Sequence, residues 1–232
     1  MITILSLGGS IIAPNAVDCE YIAQFKTLID ETLAADKEAR FVLVVGGGST
    51  ARRYQDAYKN AACLNSAVTF SPKEADWIGV MATRLNAQLI RAVFADAAAE
   101  PVVTDPTADF VWESRVLVAA GWKPGFSSDN DAVLLAKRFK ASRVINLSNI
   151  EKVYTADPKK DPTAHPINSI SWKDFRKLIG EEWTPGKNVP FDPVASKNAE
   201  ESGVQVICAA GRDLANLRNL FQGKPFIGTT IG

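Results

Sequence analysis

Two short glycine runs constrain the fold of this chain more than any other feature. The first, Gly8-Gly9-Ser10, follows the apolar stretch 2–7, and the second, Gly46-Gly47-Gly48-Ser49, follows the apolar stretch 41–45. A helix-like stretch follows each run, so each predicts a strand–turn–helix unit. Successive units of this kind build a mainly parallel sheet with helices on both faces. The sequence therefore predicts an α/β fold, a three-layer αβα sandwich around a mainly parallel central sheet.

The rest of the chain continues this alternation. Further strands are predicted at 101–104, 115–120, 143–147 and 204–208, with a last one at 226–231 on an edge of the sheet. Helices are predicted behind Asp18, from Ser49 to Ala61, behind Ser71, from Asp129 to Phe139, from Trp172 to Ile179, from Asp192 to Gly203 and from Asp213 to Gly223. The segment 150–170 is rich in loops and is compatible with a hairpin. We expect one domain, 1–232, whose composition changes near residue 150.

The helix behind Ser71 has the clearest local signals. Ser71 can cap it, Pro72 fits the first turn and Glu74 completes a capping box. Its apolar residues recur at helical spacing and give one stripe, formed by Ile78, Met81, Leu85, Leu89 and Val93.

Composition excludes several classes of function. Lys+Arg and Asp+Glu number 26 each, so the net charge is zero and nucleic-acid binding, which depends on phosphate neutralisation, is not expected. No apolar stretch approaches the ~20 residues of a membrane span, and residues 1–7 are interpreted as a strand rather than a signal peptide. Cys19, Cys63 and Cys208 are interpreted as reduced thiols of a cytoplasmic protein. The single histidine, His165, lies in a loop, so neither histidine catalysis nor a protein metal site is expected.

The glycine runs are suited to binding phosphate. Glycine lets backbone N–H groups approach an anion at the carboxyl end of a strand, and the following helix N-terminus adds positive potential. Two such loops can hold two phosphate groups, although neither matches the P-loop or the dinucleotide pattern. The alternative is that they are tight turns that need a positive φ. Arg52, one turn into the second helix, favours the phosphate interpretation.

Two acidic residues open the helix predicted at 129. Asp129 and Asp131 can be a helix cap and a dipole partner. Alternatively, Asp129 holds a phosphate-bound metal or orients cationic groups around a transferring phosphoryl. The residues alone leave both interpretations open.

Together these segments resemble the amino-acid-kinase superfamily, and specifically its archaeal-type uridylate (UMP) kinases. The resemblance covers nearly the whole chain in family order, and its most specific part is the run at 153–162. The matching segments are 7–10 (LGGS), 45–52 (VGGGSTAR), 76–79 (DWIG), 83–87 (TRLNA), 124–129 (PGFSSD), 149–162 (NIEKVYTADPKKDP), 192–197 (DPVASK) and 228–231 (GTTI).

The resemblance implies phosphoryl transfer from ATP, with Mg²⁺, to UMP, in a homo-hexamer. It implies an acceptor-binding lobe at 1–147, an ATP-binding lobe at 148–232, and catalytic roles for Arg52 and Asp129. It assigns ATP to Gly9, Ser10, Gly48, Arg52, Ser148, Asn149, Tyr154 and Asp157. It assigns UMP to Gly47, Asp76, Trp122, Lys123, Pro124, Gly125, Phe126, Ser127 and Ser128.

The chemistry agrees with these residues. The acceptor atom in UMP is an ionised phosphate oxygen, so no general base is needed and catalysis becomes positioning with charge stabilisation. Many superfamily members have lysine where this chain has Ser6, so the positive charge is expected from Arg52, Lys123 or the metal. Two alternatives are another kinase of the superfamily, acting on a carboxylate, carbamate or isoprenoid phosphate, and a non-catalytic nucleotide- or oxyanion-binding protein.

Overall fold

Strands and helices alternate through residues 2–180 and 189–232, the part of the chain that this computed structural model describes. The strands are β1 (Ile2–Leu7), β2 (Arg40–Val45), β3 (Val116–Ala119), β4 (Arg143–Ser148), β5 (Val153–Tyr154), β6 (Pro166–Ile167), β7 (Ser169–Ile170), β8 (Gln205–Ala210) and β9 (Thr229–Ile231). The helices are α1 (Gly9–Ile12), α2 (Cys19–Ala35), α3 (Gly48–Leu64), α4 (Pro72–Val93), α5 (Ser128–Arg138), α6 (Trp172–Ile179), α7 (Pro193–Glu201) and α8 (Leu214–Phe221).

The main sheet has the strand order β3-β2-β1-β4-β8-β9-β7. β1 pairs in parallel with both β2 and β4, while β9 runs antiparallel to β8. The predicted mainly parallel sheet is therefore confirmed. Because β1, β2 and β4 end at the same edge, the two glycine runs and the residues after β4 emerge side by side. The segment 150–170, which the sequence shows to be compatible with a hairpin, contains the antiparallel pair β5–β6.

Alternate residues of the strands enter two separate cores. Leu5 and Leu43 point into a core with α2, α4 and α8, and Ile4 and Val42 point into one with α5, α6 and α7. This follows from the two-residue period of a strand, which sends successive side chains to opposite faces. Helices cover both faces, so the three-layer αβα architecture is confirmed.

Side-chain caps start several helices where the sequence predicts them. Asp18 accepts from Tyr21 N at 2.9 Å, and Ser71 accepts from Glu74 N at 3.3 Å. At the helix predicted from Asp129, however, the cap is Ser127, whose Oγ accepts from Asn130 N at 3.2 Å. The interpretation of Asp129 as a cap is therefore wrong, and its carboxylate takes part in other contacts.

The strand predicted at 101–104 is wrong. Val103 forms a single parallel bridge to Ala119, with its N–H donating to Val118 O and its carbonyl accepting from Ala120 N, both at 2.9 Å. Pro101 lacks an N–H with which to extend the pairing. The segment is therefore a loop that touches the sheet at one residue.

The prediction of a final edge strand at 226–231 is also wrong in position. The strand begins at Thr229 and lies between β8 and β7, so it is an inner strand. Asn216 of α8 binds both the N–H and the carbonyl of Ile227 at 2.7 Å, which takes these groups away from strand pairing. The short strand β7 then forms the edge.

The apolar stripe predicted on α4 does not all face the core. The buried side chains of this helix include Val80, Asn86 and Ile90. Met81 is 56% exposed and Leu85 is 64% exposed. The helix therefore carries an apolar face that the core leaves uncovered.

Candidate functional site

The two glycine runs touch each other at the carboxyl ends of β1 and β2. A Cβ on Gly9 would lie 2.0 Å from the backbone nitrogen of Gly48, and one on Gly46 would lie 2.5 Å from the nitrogen of Gly9. Gly48 has φ +60°, and Gly8 donates to Leu147 O at 3.0 Å. Glycine is required here because the obstacles are backbone atoms. Tight packing at Gly9 and Gly46 and a positive φ at Gly48 agree with the tight-turn interpretation. Phosphate binding by these loops stays a prediction.

Asn86, a residue that the sequence interpretation missed, holds the second glycine loop. Its Nδ2 donates to the carbonyls of Gly46 at 2.9 Å and Gly47 at 3.0 Å, and the residue is buried. The signal was present as a polar residue on the core-facing side of α4, beside Ala87 and Ile90. A buried amide needs hydrogen-bond partners, so the position of Asn86 predicts a contact with polar backbone groups.

Asp129 lies at the centre of the site. Its Oδ1 accepts from Ser6 Oγ at 2.9 Å, and its Oδ2 accepts from Asp192 N at 3.3 Å. Ser6 is in β1 and Asp192 caps α7 through Ala195 N at 2.7 Å. Residues 123 positions apart in sequence, Ser6 and Asp129, thus meet below the glycine loops.

Three carboxyl groups crowd this region. Burial raises the pKa of Asp129 to about 6, with the charge of Asp192 adding to the effect and the Ser6 hydrogen bond opposing it. Burial also raises the pKa of Asp131 to about 7 and that of Asp192 above its usual value. No ion pair among residues 2–180 and 189–232 includes any of the three. A bound cation would therefore be stabilised here.

The two predicted sources of positive charge occupy different places. Arg52 lies on α3 and is exposed. The Nζ of Lys123 lies 3.7 Å from the ring centroid of Trp122 and 5.0 Å from that of Phe126. Neither is among the groups bonded to Asp129 in the described structure.

Five of the predicted acceptor residues, 122–126, lie in the loop 121–126, which precedes the cap Ser127 of α5 and is held to α4 and α5. Gly125 N donates to Asp76 Oδ2 at 2.7 Å. One oxygen of Asp76, which is predicted to bind the ribose, therefore already holds the loop. The rings of Trp122 and Phe126 meet edge to face at 4.7 Å. The structure therefore brings Asp76 and the 122–127 residues together, while Ser128 begins α5.

The predicted ATP residues are brought together less completely. Ser148 ends β4 directly after Leu147, the residue that Gly8 contacts, and Asn149 follows it. Tyr154 lies in β5, and Asp157 is exposed in a turn where its Oδ1 accepts from Lys159 N at 3.0 Å. Gly9, Ser10 and Ser148 thus share one edge of the sheet. The bonds of Asp157 stay within its own turn.

The histidine and the acidic and cysteine side chains outside the site limit which kinds of chemistry it can perform. His165 is exposed, and its backbone pairs with Thr155. Across the described ranges no three His, Cys, Asp or Glu side chains converge as a metal cage, and no helix is long and apolar enough to cross a membrane. The site therefore offers backbone N–H groups at two touching loops and a carboxylate bonded to Ser6, two residues before the first loop. Such groups suit the binding of two anionic groups at neighbouring positions.

Comparisons with known proteins agree with this geometry. The model of the amino acid kinase family matches residues 1–210. The chain is 32% identical to a uridylate kinase of Thermoplasma volcanium, covering 98% of this chain and 96% of that protein. It is 34% identical to a uridylate kinase of Methanospirillum hungatei, over 98% of this chain and 93% of that one.

A solved structure gives the same result. The uridylate kinase of Archaeoglobus fulgidus superposes with a TM-score of 0.81 at 31% identity, covering 100% of both chains. A UMP kinase of Ureaplasma parvum, with a TM-score of 0.73 and 17% identity over 100% of this chain and 98% of that one, shares the fold.

Proposed function

The chain belongs to the amino acid kinase family, and from this premise we propose that it transfers the γ-phosphoryl group of ATP to UMP, giving ADP and UDP. The observation that carries the proposal is the contact between the two glycine loops beside Asp129. Two phosphate-binding loops whose backbones touch can hold a donor and an acceptor phosphate next to each other. Proximity of this kind removes much of the entropic barrier of a two-substrate reaction.

The chain's own residues account for the transfer without a general base. A phosphate oxygen of UMP forms a bond to the γ-phosphorus while the bond from that phosphorus to the ADP oxygen breaks. Gly9, Ser10 and Gly48 would bind the ATP phosphates, and Gly47 the UMP phosphate. Arg52, exposed on α3, would reach the transferring group, because arginine binds phosphate with two parallel hydrogen bonds. This is the role proposed for it in both binding and catalysis.

Mg²⁺ bound with ATP fits this site. Such an ion is usually held by one or two carboxylates together with the nucleotide phosphates, so a preformed cage is not needed. Asp129 has the required chemistry, because it is a carboxylate with a pKa raised by burial and no cation partner among the described residues. When bound, the ion would neutralise charge on the phosphates.

The remaining assignments follow the two sides of the site. Asp76 would accept from the ribose hydroxyls of UMP through its second oxygen, and the loop from Trp122 to Ser128 would surround the base and phosphate. Ser148, Asn149, Tyr154 and Asp157 would surround the adenosine of ATP. We infer the corresponding lobes at 1–147 and 148–232, in one cytoplasmic protein.

We also propose that the chain forms a homo-oligomer, a hexamer by family resemblance. Large apolar side chains are exposed on α3 and α4, among them Leu64 (88% exposed), Met81 and Leu85. Such side chains commonly mark a protein interface. Light scattering after size exclusion should give a mass several times that of the chain, and Met81→Glu with Leu85→Glu should reduce it. A monomeric wild-type protein would exclude this part of the proposal.

One assay tests the proposed reaction. Release of ADP is coupled to a spectrophotometric readout with ATP, Mg²⁺ and a panel of UMP, CMP and AMP, together with carboxylate, carbamate and isoprenoid-phosphate acceptors. We expect turnover with UMP in preference to the others. Activity on a different acceptor with none on UMP would identify another kinase of the family.

A second candidate is favoured by the three carboxyl groups of Asp129, Asp131 and Asp192, none of which forms an ion pair among the described residues. Their negative charge would oppose the charge that develops on a transferring phosphoryl group, so a protein that binds a nucleotide without turnover is the alternative. Calorimetric binding of ATP, with no conversion of ATP to ADP in the presence of any acceptor, would support it.

A further inference from the structure

The backbone of Gly121 and Trp122 is held entirely by side chains of two helices. Gly121 N donates to Thr83 Oγ1 at 2.8 Å, and Trp122 N donates to Asp131 Oδ2 at 3.1 Å. Arg84 donates to both carbonyls, from Nε to Gly121 O at 3.3 Å and from Nη2 to Trp122 O at 2.7 Å. Three side chains thus satisfy all four polar backbone groups of these two residues.

The hydrogen bond from Trp122 N to Asp131 requires that a carboxyl group be buried, which is unfavourable. The residue is fully buried on α5, and its second oxygen, Oδ1, is buried with no partner among the described residues. A carboxylate out of water costs free energy unless it is paired. Its single described side-chain hydrogen bond is the one from Trp122 N. The cost therefore points to a role for Asp131 at Trp122.

The side chain of Trp122 is the first part of the loop that this bond would orient. Its ring contacts Phe126, and the ammonium of Lys123 lies 3.7 Å from its centroid. The main chain of Trp122 is therefore held by hydrogen bonds, and its side chain lies against one aromatic ring and one cation on the acceptor side.

We propose that Asp131 and Arg84 are positioning residues that hold Trp122, and through it the loop 121–126, in the conformation that binds the acceptor nucleotide. This inference rests on the proposed function. A loop held in its bound conformation binds with a smaller entropic cost. Loosening it weakens ground-state and transition-state binding of UMP equally, which raises KM for UMP and leaves kcat unchanged. Neither residue needs to touch the substrate.

Four variants of the full chain test this, with UMP and ATP titrated separately. Asp131→Ala removes the bond to Trp122 N, and Arg84→Met removes both bonds to the carbonyls while keeping the length of the side chain. Asp131→Ala should raise KM for UMP about tenfold, the usual effect of one lost hydrogen bond, and Arg84→Met, which removes two bonds, should raise it at least as much. Both variants should keep kcat and KM for ATP within about twofold. Asp131→Asn keeps an acceptor oxygen for Trp122 N and should restore KM.

Arg91→Met is the matched control. Arg91 lies on the same helix and makes the same kind of double contact, from Nε to Glu100 O and from Nη2 to Ala99 O. These carbonyls belong to a different loop. The control should leave both KM values and kcat unchanged.

Hydrogen–deuterium exchange of the segment 119–126 gives a second measurement that needs no substrate. Exchange should become faster in Asp131→Ala and Arg84→Met, and stay slow in Asp131→Asn and Arg91→Met. If Asp131→Ala does not fold, the other three variants still decide. A KM for UMP that is unchanged in Arg84→Met, or raised in Asp131→Asn, overturns the inference.

Different results contradict the positioning role of Asp131 and Arg84 and the proposed phosphorylation of UMP. A wild-type chain that phosphorylates UMP while its variants keep an unchanged KM contradicts the positioning role alone. A wild-type chain that does not phosphorylate UMP contradicts the proposed function. The exchange measurement then decides the positioning role, which is overturned if Asp131→Ala and Arg84→Met leave exchange of 119–126 unchanged.

Discussion

The glycine loops and the loop 121–126 are held in place by opposite means. At the glycine loops two backbones touch, and the missing side chains permit the contact. At the loop 121–126 the backbone is free of such contacts, and side chains from α4 and α5 hold it. The first arrangement is rigid because nothing larger than glycine fits, while the second depends on individual hydrogen bonds that can be removed one at a time. Under the proposed function, the backbone would position the phosphates and side chains would hold the loop that recognises the acceptor.

The largest expected effect breaks the glycine contact itself. Gly9→Ala places a Cβ 2.0 Å from Gly48 N, where a backbone atom cannot move away without displacing the loop. We expect loss of the folded protein or of all measurable turnover, assayed by circular dichroism and the coupled assay. Gly223→Ala is the control, because Gly223 has φ +68° and open space around it, so it should cost only about 1 kcal/mol. A fully active Gly9→Ala protein would contradict the conclusion that backbone contact holds the glycine loops in place.

The next effect concerns the carboxylate of Asp129, which is bonded to Ser6 of β1. Asp129→Asn should lower kcat at least about 100-fold, on the order of 3 kcal/mol, because it removes charge at the transfer centre. Its melting temperature should not fall, since burial already disfavours the charged form. Steady-state kinetics and thermal unfolding measure the two. A change in kcat below about threefold would show that Asp129 acts elsewhere; Ser6→Ala, which removes only its hydrogen-bond donor, should have the smaller effect.

A smaller effect is expected from Asn86, whose side chain supports a glycine loop. Asn86→Ala removes the side-chain donor to Gly46 O and one of the two donors to Gly47 O, which keeps Ala51 N, and should lower the free energy of unfolding by about 2 kcal/mol. Urea unfolding measures it. Gln88→Ala, at an exposed position of the same helix, should change it by less than about 0.5 kcal/mol. Equal effects of the two changes would mean that the amide contributes nothing to the loop.

The smallest effect separates the two regions by their readout. Gly125 and Gly203 have φ +84° and +64°, and a Cβ on either would meet nothing within 4 Å. Alanine at either position should therefore cost about 1 kcal/mol of stability through backbone strain alone. Only Gly125→Ala should also raise KM for UMP, because it lies in the loop 121–126. Similar KM values in the two variants would contradict the acceptor role of that loop.

Local patterns predicted much of the fold correctly. The strands β1, β2, β4 and β8 and the caps at Asp18 and Ser71 depend on neighbouring residues, so they can be recognised in the sequence. The prediction of a strand at 226–231 was wrong in position because the start of the strand depends on Asn216. The side chain of Asn216 forms hydrogen bonds with the N–H and the carbonyl of Ile227. The α4 stripe was correct as a helix signal, but period alone does not tell whether an apolar face is covered by the same chain.

The sequence by itself determined that the glycine runs at 8–10 and 46–49 join a strand to a helix, because the apolar stretch before each run is a local pattern. Phosphate binding by these loops stays a prediction. What the tertiary structure decided is how that site is completed. Ser6 reaches Asp129 across 123 positions, Asp192 reaches it across 63, and Asn86 reaches Gly46 across 40. The partner of Asp131 likewise depends on where α5 meets the loop after β3. Such contacts arise because parallel strands end at one edge and bring distant segments together, and no local pattern specifies which polar groups then meet.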